Sequence, residues 1–283
     1  MRMPILKQIS FFRYCSFIMP LPRPESVPMS EREPREPRLS VVIPTFNKEA
    51  RIAATLEAVA SYLAGKPFAS EIVVVDDGST DRTVDAARRA LAGRAAAKVL
   101  SRGFNLGKGA SVREGVLAAA GEIVLFADDD LSTPIAELDR TLAALEAGAD
   151  VVIGSRAHPE SAIPVRQRRP RELMGKAFNL LVRLFVLRGY RDTQCGFKAF
   201  RRGPAREIFS RLRTAGFGFD VEVLVLCRDL GYRVAEVPVT WCDIRPSRLR
   251  IFRGSWSMLK DLWRIRRDVR RGRKRGGGIG KGP

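Results

Sequence analysis

From residue 39 onward, short apolar runs alternate with longer stretches in which apolar residues recur at helical spacing. Residues 39–43 are largely apolar and stop at Pro44, the pattern of a buried strand. Residues 49–63 then carry apolar positions at helical intervals. Residues 71–75 predict a second strand, closed by Asp76-Asp77-Gly78, and residues 80–91 a helix with Ser79 or Thr80 as N-cap. A brief third strand falls at Val99-Leu100, a helix over 108–119 and a fourth strand over 122–126. Residues 134–145 read as a helix opened by a proline in its first turn, and 150–153 as a fifth strand. Strand and helix alternating at such short intervals predict an α/β fold. Its sheet is mostly parallel, with right-handed crossovers and helices on both faces.

The second half is less regular. Helices are predicted over 171–187, 219–230 and 252–269, and a strand over 234–237. The expected organisation is a disordered, proline-rich extension over 1–38 and a globular domain over 39–250. A basic amphipathic helix over 251–269 and a disordered Gly/Arg/Lys-rich tail over 270–283 would follow. The apolar and aromatic stretch 9–19 is broken by Arg13 and lacks a small-residue cleavage site after it; Met29 offers a second start. No run of eighteen apolar residues occurs, so no transmembrane helix is expected.

Charge narrows the partners. Fifty Lys and Arg against 31 Asp and Glu give a net charge of +19, which calls for a polyanionic partner: nucleic acid, anionic lipid or a phosphorylated substrate. Cys15, Cys195, Cys227 and Cys242 form no C-x-x-C pair and read as free thiols of a reducing compartment. His158 is the single histidine, which argues against His-based triads and His-rich metal sites.

In parallel α/β sheets ligands bind beyond the carboxyl ends of the strands. Here those ends carry Pro44-Thr45-Phe46-Asn47, Asp76-Asp77-Gly78-Ser79, residues 102–109 and Asp128-Asp129-Asp130. Carboxylates on alternate residues of an extended turn can point the same way, so Asp128 and Asp130 can hold a hard divalent cation and leave positions for phosphate oxygens. The blander alternative is an acidic triplet that opens a turn. An aspartate after the second strand can accept hydrogen bonds from a base or a ribose hydroxyl, or merely close a strand–turn–helix junction. Gly107-Lys108-Gly109 would let backbone N–H groups at a helix start approach an anion. The spacing is not that of a Walker A loop, and no G-x-G-x-x-G follows the first strand.

Together these motifs resemble family 2 glycosyltransferases of the GT-A (Rossmann-like) fold over residues 39–156, and polyprenyl-phosphate sugar transferases over 39–270. Asp128-Asp129-Asp130-Leu131-Ser132-Thr133-Pro134, Gly154-Ser155-Arg156 and Asp192-Thr193-Gln194-Cys195-Gly196-Phe197-Lys198 are most similar to dolichyl-phosphate β-glucosyltransferases. That resemblance implies a base pocket lined by Pro44 and Phe46, with Asp76 and Asp77 on the nucleoside. It implies Mg²⁺ or Mn²⁺ on Asp128 and Asp130, the acceptor phosphate at Arg156, and Gln194 and Gly196 at the sugar. Asp129 and Lys108 complete the expected nucleotide-sugar set. Relatives usually show an aromatic hydroxyl where Phe46 stands and a Glu where Lys48 stands, so Glu49 is the substitute for the ribose contact.

The implied reaction is an inverting transfer of a hexose, glucose from UDP-glucose, onto a polyprenyl or dolichyl phosphate. A phosphate monoester is already substantially ionised at neutral pH and needs no strong base. Asp220 is either a base, as in relatives with hydroxyl acceptors, or one half of an ion pair. Arg169 and Arg171, with Arg166 and Arg168, precede an apolar helix and suit a lipid phosphate, although a solvated basic loop would look the same. Trp256, Trp263 and the arginines around them suit an interfacial helix on an anionic membrane, at its cytoplasmic face. Rival readings are a GDP-mannose-dependent transferase, a transferase with a sugar hydroxyl acceptor, and a basic nucleic-acid-binding protein. No nucleic-acid module is recognisable, and the acidic strand ends would repel a phosphate backbone, so no nucleic-acid partner is expected.

Overall fold

The computed structural model describes residues 36–94, 96–167, 169–244 and 260–267. The expected extension up to residue 35, the tail 270–283, Cys15, Arg168, Trp256 and most of the predicted helix 251–269 lie outside them.

Among the described residues up to Cys242, nine strands and seven α-helices follow one another, beginning with β1 (Leu39–Thr45), α1 (Ile52–Ala64), β2 (Ser70–Asp76), α2 (Thr83–Ala90), β3 (Ala97–Ser101), α3 (Lys108–Ala118) and β4 (Ile123–Ala127). Next come a 3-10 turn at Ile135–Glu137, α4 (Leu138–Glu146), β5 (Val151–Ser155), β6 (Ala162–Val165) and α5 (Arg169–Phe185). β7 (Phe197–Arg201), α6 (Arg202–Arg211), α7 (Phe219–Asp229), β8 (Val234–Pro238) and β9 (Thr240–Cys242) complete the order. Residues 260–267 are helical. The main sheet runs β3-β2-β1-β4-β7-β5-β8, and β6 pairs with β9 in a small parallel sheet.

Strand alternation sorts the core into two layers. Leu39, Val41 and Ile43 of β1 face Ile52, Leu56, Leu138 and Leu142 of α1 and α4. Val42, on the other face, joins Val73, Val75 and Phe126 against Val112, Phe209, Phe219 and Leu224 of α3, α6 and α7. The central strands β1, β2, β4 and β5 are thus buried on both sides, which is why the sequence shows runs rather than alternation there. The helix α3 packs tightly against the sheet. A Cβ at Gly115 would come 2.4 Å from Cγ1 of Val42 and 2.9 Å from Cγ2 of Val75.

Several expectations change. β1 continues through Pro44 to Thr45; Pro44 lies beyond the last β1 residue paired with β4, so its missing N–H is tolerated. The helix after β2 begins at Thr83, and neither Ser79 nor Thr80 caps it. The Ser79 hydroxyl turns back to Asp76, and the Asp81 carboxylate takes the Thr83 amide at 3.0 Å. Pro134 precedes a 3-10 turn, and the α-helix starts at Leu138. Pro37 and Arg38 already accept hydrogen bonds from Glu122 and Ile123, so pairing starts before residue 39. β6, β7, α6 and β9 have no counterpart in the sequence reading. β7 is antiparallel to both its neighbours, β4 and β5.

The close approach at Gly115 yields a direct test. Gly115→Ala forces a methyl group into contact with two valines, and overpacking of this kind costs about 1–3 kcal/mol. Urea unfolding should show a lower midpoint with an unchanged slope.

Candidate active site

The loops after β1 and β2 are sewn together by side chains. Asn47, in the left-handed region at φ 52°, accepts the Thr80 amide at 2.8 Å, while its own amide donates to Ser79 Oγ at 2.8 Å. The Lys48 amide donates to Thr83 Oγ1 at 2.6 Å, and Glu49 accepts the Arg82 amide at 3.0 Å. Asp76 is buried and bonds the Ser79 amide and hydroxyl and the Ser101 hydroxyl, tying β2 to β3. Asp77, also buried, accepts Arg102 Nη2 at 2.9 Å and the amides of Leu106 and Gly107 at 3.0 and 2.8 Å. Its carboxylate thereby fixes the approach to α3. Gly107, at φ 107°, is needed there: a Cβ would meet the Ala215 carbonyl at 2.6 Å. Phe46 stands 40% exposed at the end of β1, beside Pro44.

Asp128-Asp129-Asp130 turns sharply after β4, with Leu131 at φ 47°. Asp130 is buried and accepts the Ser132 amide at 2.9 Å. Asp129 meets Lys48 Nζ at 3.4 Å. Burial pushes the Asp129 carboxyl up, the charges on Asp128 and Asp130 add to this, and Lys48 opposes it. Asp128 pairs with Lys108, its Oδ1 2.6 Å from Nζ, and its amide donates to the Gly196 carbonyl at 3.0 Å. The Lys108 ammonium lies over the rings of Phe126 and Phe219, at 5.1 and 5.9 Å from their centroids. The carboxylate of Asp128 rests directly on Gly196: a Cβ there would stand 2.2 Å from Oδ2.

Below this floor lies a buried ion pair. Lys198 of β7 and Asp220 of α7 are hydrogen-bonded, and Lys198 Nζ also donates to the Cys195 carbonyl at 2.6 Å. Burial pushes the Asp220 carboxyl up against the opposing charges of Lys198 and Lys108. A lysine inside the run Phe197-Lys198-Ala199-Phe200 was the readable signal for such a partner, since an unpaired ammonium is not buried. The sequence reading did not assign it.

The 192–196 segment also borders a cavity. Arg156, after β5, donates to Asp192 through Nε at 2.7 Å, Nη2 at 2.9 Å and its own amide at 3.0 Å. Burial would push the Asp192 carboxyl up, but the Arg156 charge and its hydrogen bonds hold it down at about 2. Burial disfavours the Arg156 charge, yet Asp192 outweighs that and keeps the guanidinium above its usual range. The Trp241 ring lies 5.6 Å from the guanidinium carbon. A pocket of about 310 Å³ opens beside the pair, lined among others by Arg166, Lys176, Arg191 and Gln194. Glu172 balances part of this charge through Lys176 at 2.7 Å. Arg169 and Arg171 fall in the first turn of α5, which forms one wall; the charge of Arg169 reaches Glu172.

The predicted residues at the ends of β1, β2, β4 and β5 and at the start of α3 thus gather along one sheet edge in two neighbouring groups, joined by Gln194-Cys195-Gly196; Asp220 is instead buried against Lys198, and Arg169 is not among the residues that line the pocket. Lys48, Asp192, Lys198 and Trp241 belong to these groups without having been assigned. The acidic turn offers only hard carboxylate oxygens, the donor type that a hard divalent cation takes. Among the described residues no cluster of three or more His, Cys, Asp or Glu could hold a metal ion, so the pair expected from the sequence, Asp128 and Asp130, would need further oxygens from a ligand. Two carboxylates completed by phosphate oxygens and water are the usual surroundings of such an ion.

The sequence profile of glycosyl transferase family 2 matches residues 40–209. A dolichyl-phosphate β-glucosyltransferase of Drosophila melanogaster is 39% identical over 240 residues, covering 80% of this chain and 74% of that protein. The Homo sapiens dolichyl-phosphate β-glucosyltransferase is 35% identical over 246 residues, covering 81% and 75%. Among solved structures, the Mycobacterium tuberculosis glucosyl-3-phosphoglycerate synthase in complex with uridine diphosphate aligns with a TM-score of 0.61 at 25% identity, over 81% of this chain and 80% of that one. The mannosyl-3-phosphoglycerate synthase of Rubrobacter xylanophilus aligns with a TM-score of 0.64 at 21% identity, over 87% and 79%. The fold is the GT-A α/β arrangement of these neighbours.

Two outcomes are expected from this geometry. Gly196→Ala pushes the Asp128 carboxylate off its seat; a displacement near 1 Å at reacting groups lowers kcat roughly 100-fold. Circular dichroism should show the fold retained. Asp192, held below its unfolded value, contributes stability above pH about 4 that is lost as pH falls toward 2. Asp192→Asn should therefore cost about 2 kcal/mol at pH 7, with the difference from the native chain shrinking across that acid window in urea titrations.

Proposed function

This chain is a glycosyltransferase of family 2, within the dolichyl-phosphate β-glucosyltransferase group, and on that premise we propose that it moves glucose from UDP-glucose onto a polyprenyl phosphate at a membrane surface. The observation that carries the reading is the basic pocket around the Arg156–Asp192 fork, one short segment away from the Asp128-Asp129-Asp130 turn. The acidic turn suits the donor's diphosphate with a divalent cation. The basic pocket suits the acceptor's phosphate.

Donor binding follows from the loops after β1 and β2. Pro44 and Phe46 offer an apolar wall for the base, with Glu49, Asp76 and Asp77 around the nucleoside. Uridine diphosphate as the leaving group accords with the relative of 25% identity that binds it. Asp128 and Asp130 would hold Mg²⁺ or Mn²⁺, which supplies charge neutralisation to the departing diphosphate. Gln194 and Gly196 border the hexose, between the two groups of residues.

Arg156 does the work on the acceptor side. Its fork to Asp192 leaves the guanidinium fixed in direction, and further N–H donors remain for a phosphate. Arg166, Lys176 and Arg191 raise the local positive potential. Held in line with the anomeric carbon, an acceptor phosphate oxygen attacks as the diphosphate leaves, and the anomeric centre inverts. No strong base is required, because the phosphate is already ionised. We read Asp220 accordingly as the partner that keeps Lys198 in place.

The membrane reading rests on α5. The helix turns Glu172, Gly175, Lys176 and Asn179 to the phosphate pocket while Leu173, Leu180, Leu184 and Phe185 are 50–64% exposed. Arg266 stacks on Phe185, and Arg267 on the exposed Trp263. A lipid phosphate could enter the pocket while its chain stays along this apolar row, with the arginines at anionic headgroups. Among the described residues no helix is long and apolar enough to cross a membrane. The free cysteines and the net charge of +19 favour the cytoplasmic face.

Transfer of labelled sugar into an organic-extractable product checks the proposal. With polyprenyl phosphate and Mn²⁺, label from UDP-glucose is expected in the lipid and label from GDP-mannose is not. Arg156→Lys, which keeps the charge but loses the fork, should raise KM for polyprenyl phosphate about tenfold or more and leave UDP binding unchanged. An unaltered acceptor KM would refute the assignment of Arg156.

A further inference from the structure

We propose that Lys108 is a built-in counterion for the acidic turn, which an arriving divalent cation displaces and which the donor's diphosphate then takes up. The inference rests on the reading of Asp128 and Asp130 as ligands of that cation. Its starting observation is different: the pair of Lys108 with Asp128.

Lys108 is the first residue of α3, and its place is set on both sides by glycines that admit no side chain. Gly107 lies against the Ala215 carbonyl. A Cβ at Gly109 would meet the Thr214 carbonyl at 2.4 Å and Phe219 Cβ at 2.7 Å. The start of α3 is therefore wedged against the 214–219 segment, and the lysine stem has one direction to take. Its Nζ reaches 2.6 Å from Asp128 Oδ1, between the rings of Phe126 and Phe219. Both side chains are mostly enclosed, at 19% and 17% exposure, so water screens the pair weakly. The other lysine at the turn, Lys48, stands farther from its partner Asp129, at 3.4 Å.

A divalent cation binds carboxylate oxygens at about 2.0–2.6 Å. An ammonium already at 2.6 Å from Asp128 Oδ1 occupies that shell, and two cations on one oxygen repel. Binding of the metal to Asp128 is then an exchange of one cation for another. The released ammonium stays within a side chain's reach of the turn, because its Cα is fixed at the start of α3. The group that can accept it there is the diphosphate, which arrives on the same cation. Metal and nucleotide consequently favour each other: each supplies what the other's arrival would leave unpaired. Without nucleotide the lysine opposes the metal, and with nucleotide it supports the complex.

Titration of the full chain with Mn²⁺, read by the electron paramagnetic resonance signal of the free ion, tests this with and without UDP. Lys108→Met keeps an unbranched side chain between the two aromatic rings and removes the charge. The variant should bind Mn²⁺ alone roughly tenfold more tightly than the native chain, on the order of the worth of one mostly enclosed ion pair. The gain in Mn²⁺ affinity on adding UDP should be large in the native chain and at least tenfold smaller in the variant. Lys108→Arg, which keeps a cation, should bind Mn²⁺ alone as weakly as the native chain. A purely structural lysine would instead weaken Mn²⁺ binding under both conditions when removed. If Lys108→Met binds Mn²⁺ alone no more tightly than the native chain, the exchange is overturned while the metal site stands. If the native chain binds no Mn²⁺ with or without UDP, the metal site itself is overturned and the exchange with it.

Discussion

The contact on which the site depends is between a carboxylate and a missing side chain. Asp128 lies on the bare Cα of Gly196, closer than any Cβ would allow, and its amide bonds the Gly196 carbonyl. That seat exists because β7 runs beside β4 and brings the 192–196 segment to the end of the β4 strand. The seat is held from beneath by Lys198, which bonds the Cys195 carbonyl and Asp220 together. Three elements, β4, β7 and α7, are thus fixed to one another, β4 to β7 by strand pairing and β7 to α7 by a buried charge pair. Such a pair stabilises little in total, since desolvation offsets its attraction, but breaking it would strand a buried charge. Its value here is positional.

Much of the first half was legible because local physics decides it. Apolar-rich runs of five residues, followed by Pro44, by Asp76-Asp77-Gly78 and by the Asp128-Asp129-Asp130 turn, gave β1, β2 and β4 in chain order, and with them the edge where the candidate site residues stand. The second half was less legible for a specific reason. β7 contains Lys198, a charge in the middle of a buried strand, and the periodicity argument has no place for a residue satisfied only by a partner 22 positions away. β6 and β9 are short and half-exposed, with too few residues to show a period. The start of α2 was misread because Ser79 and Thr80 resemble caps, whereas their hydrogen bonds go to Asp76 and Asn47.

The site residues divide in the same way. Asp128, Asp130, Arg156, Gln194 and Gly196 were proposed from motifs. What the motifs could not convey is how many of these groups are already occupied. Asp76 and Asp77 spend carboxylate oxygens on holding loops, and Arg156 is forked to Asp192. Prior engagement of this kind makes the loops rigid before any ligand arrives, and it limits each group to the lone pairs or N–H bonds left over. A residue list from sequence gives chemistry; the hydrogen-bond partners say how much of it remains for a ligand.

The reversed direction of β7 has one more consequence. In a wholly parallel sheet every loop at the ligand edge follows its strand, and a change in one loop passes straight into the helix behind it. β7 is instead entered from the ligand edge, so the segment ahead of it, from Asp192 to Gly196, belongs to both halves of the site while its exit leads away to α6. On the proposed reading of the site the architecture is modular: the half around Arg156 can be re-cut for a new phosphate-bearing acceptor while the loops after β1 and β2 keep the same nucleotide.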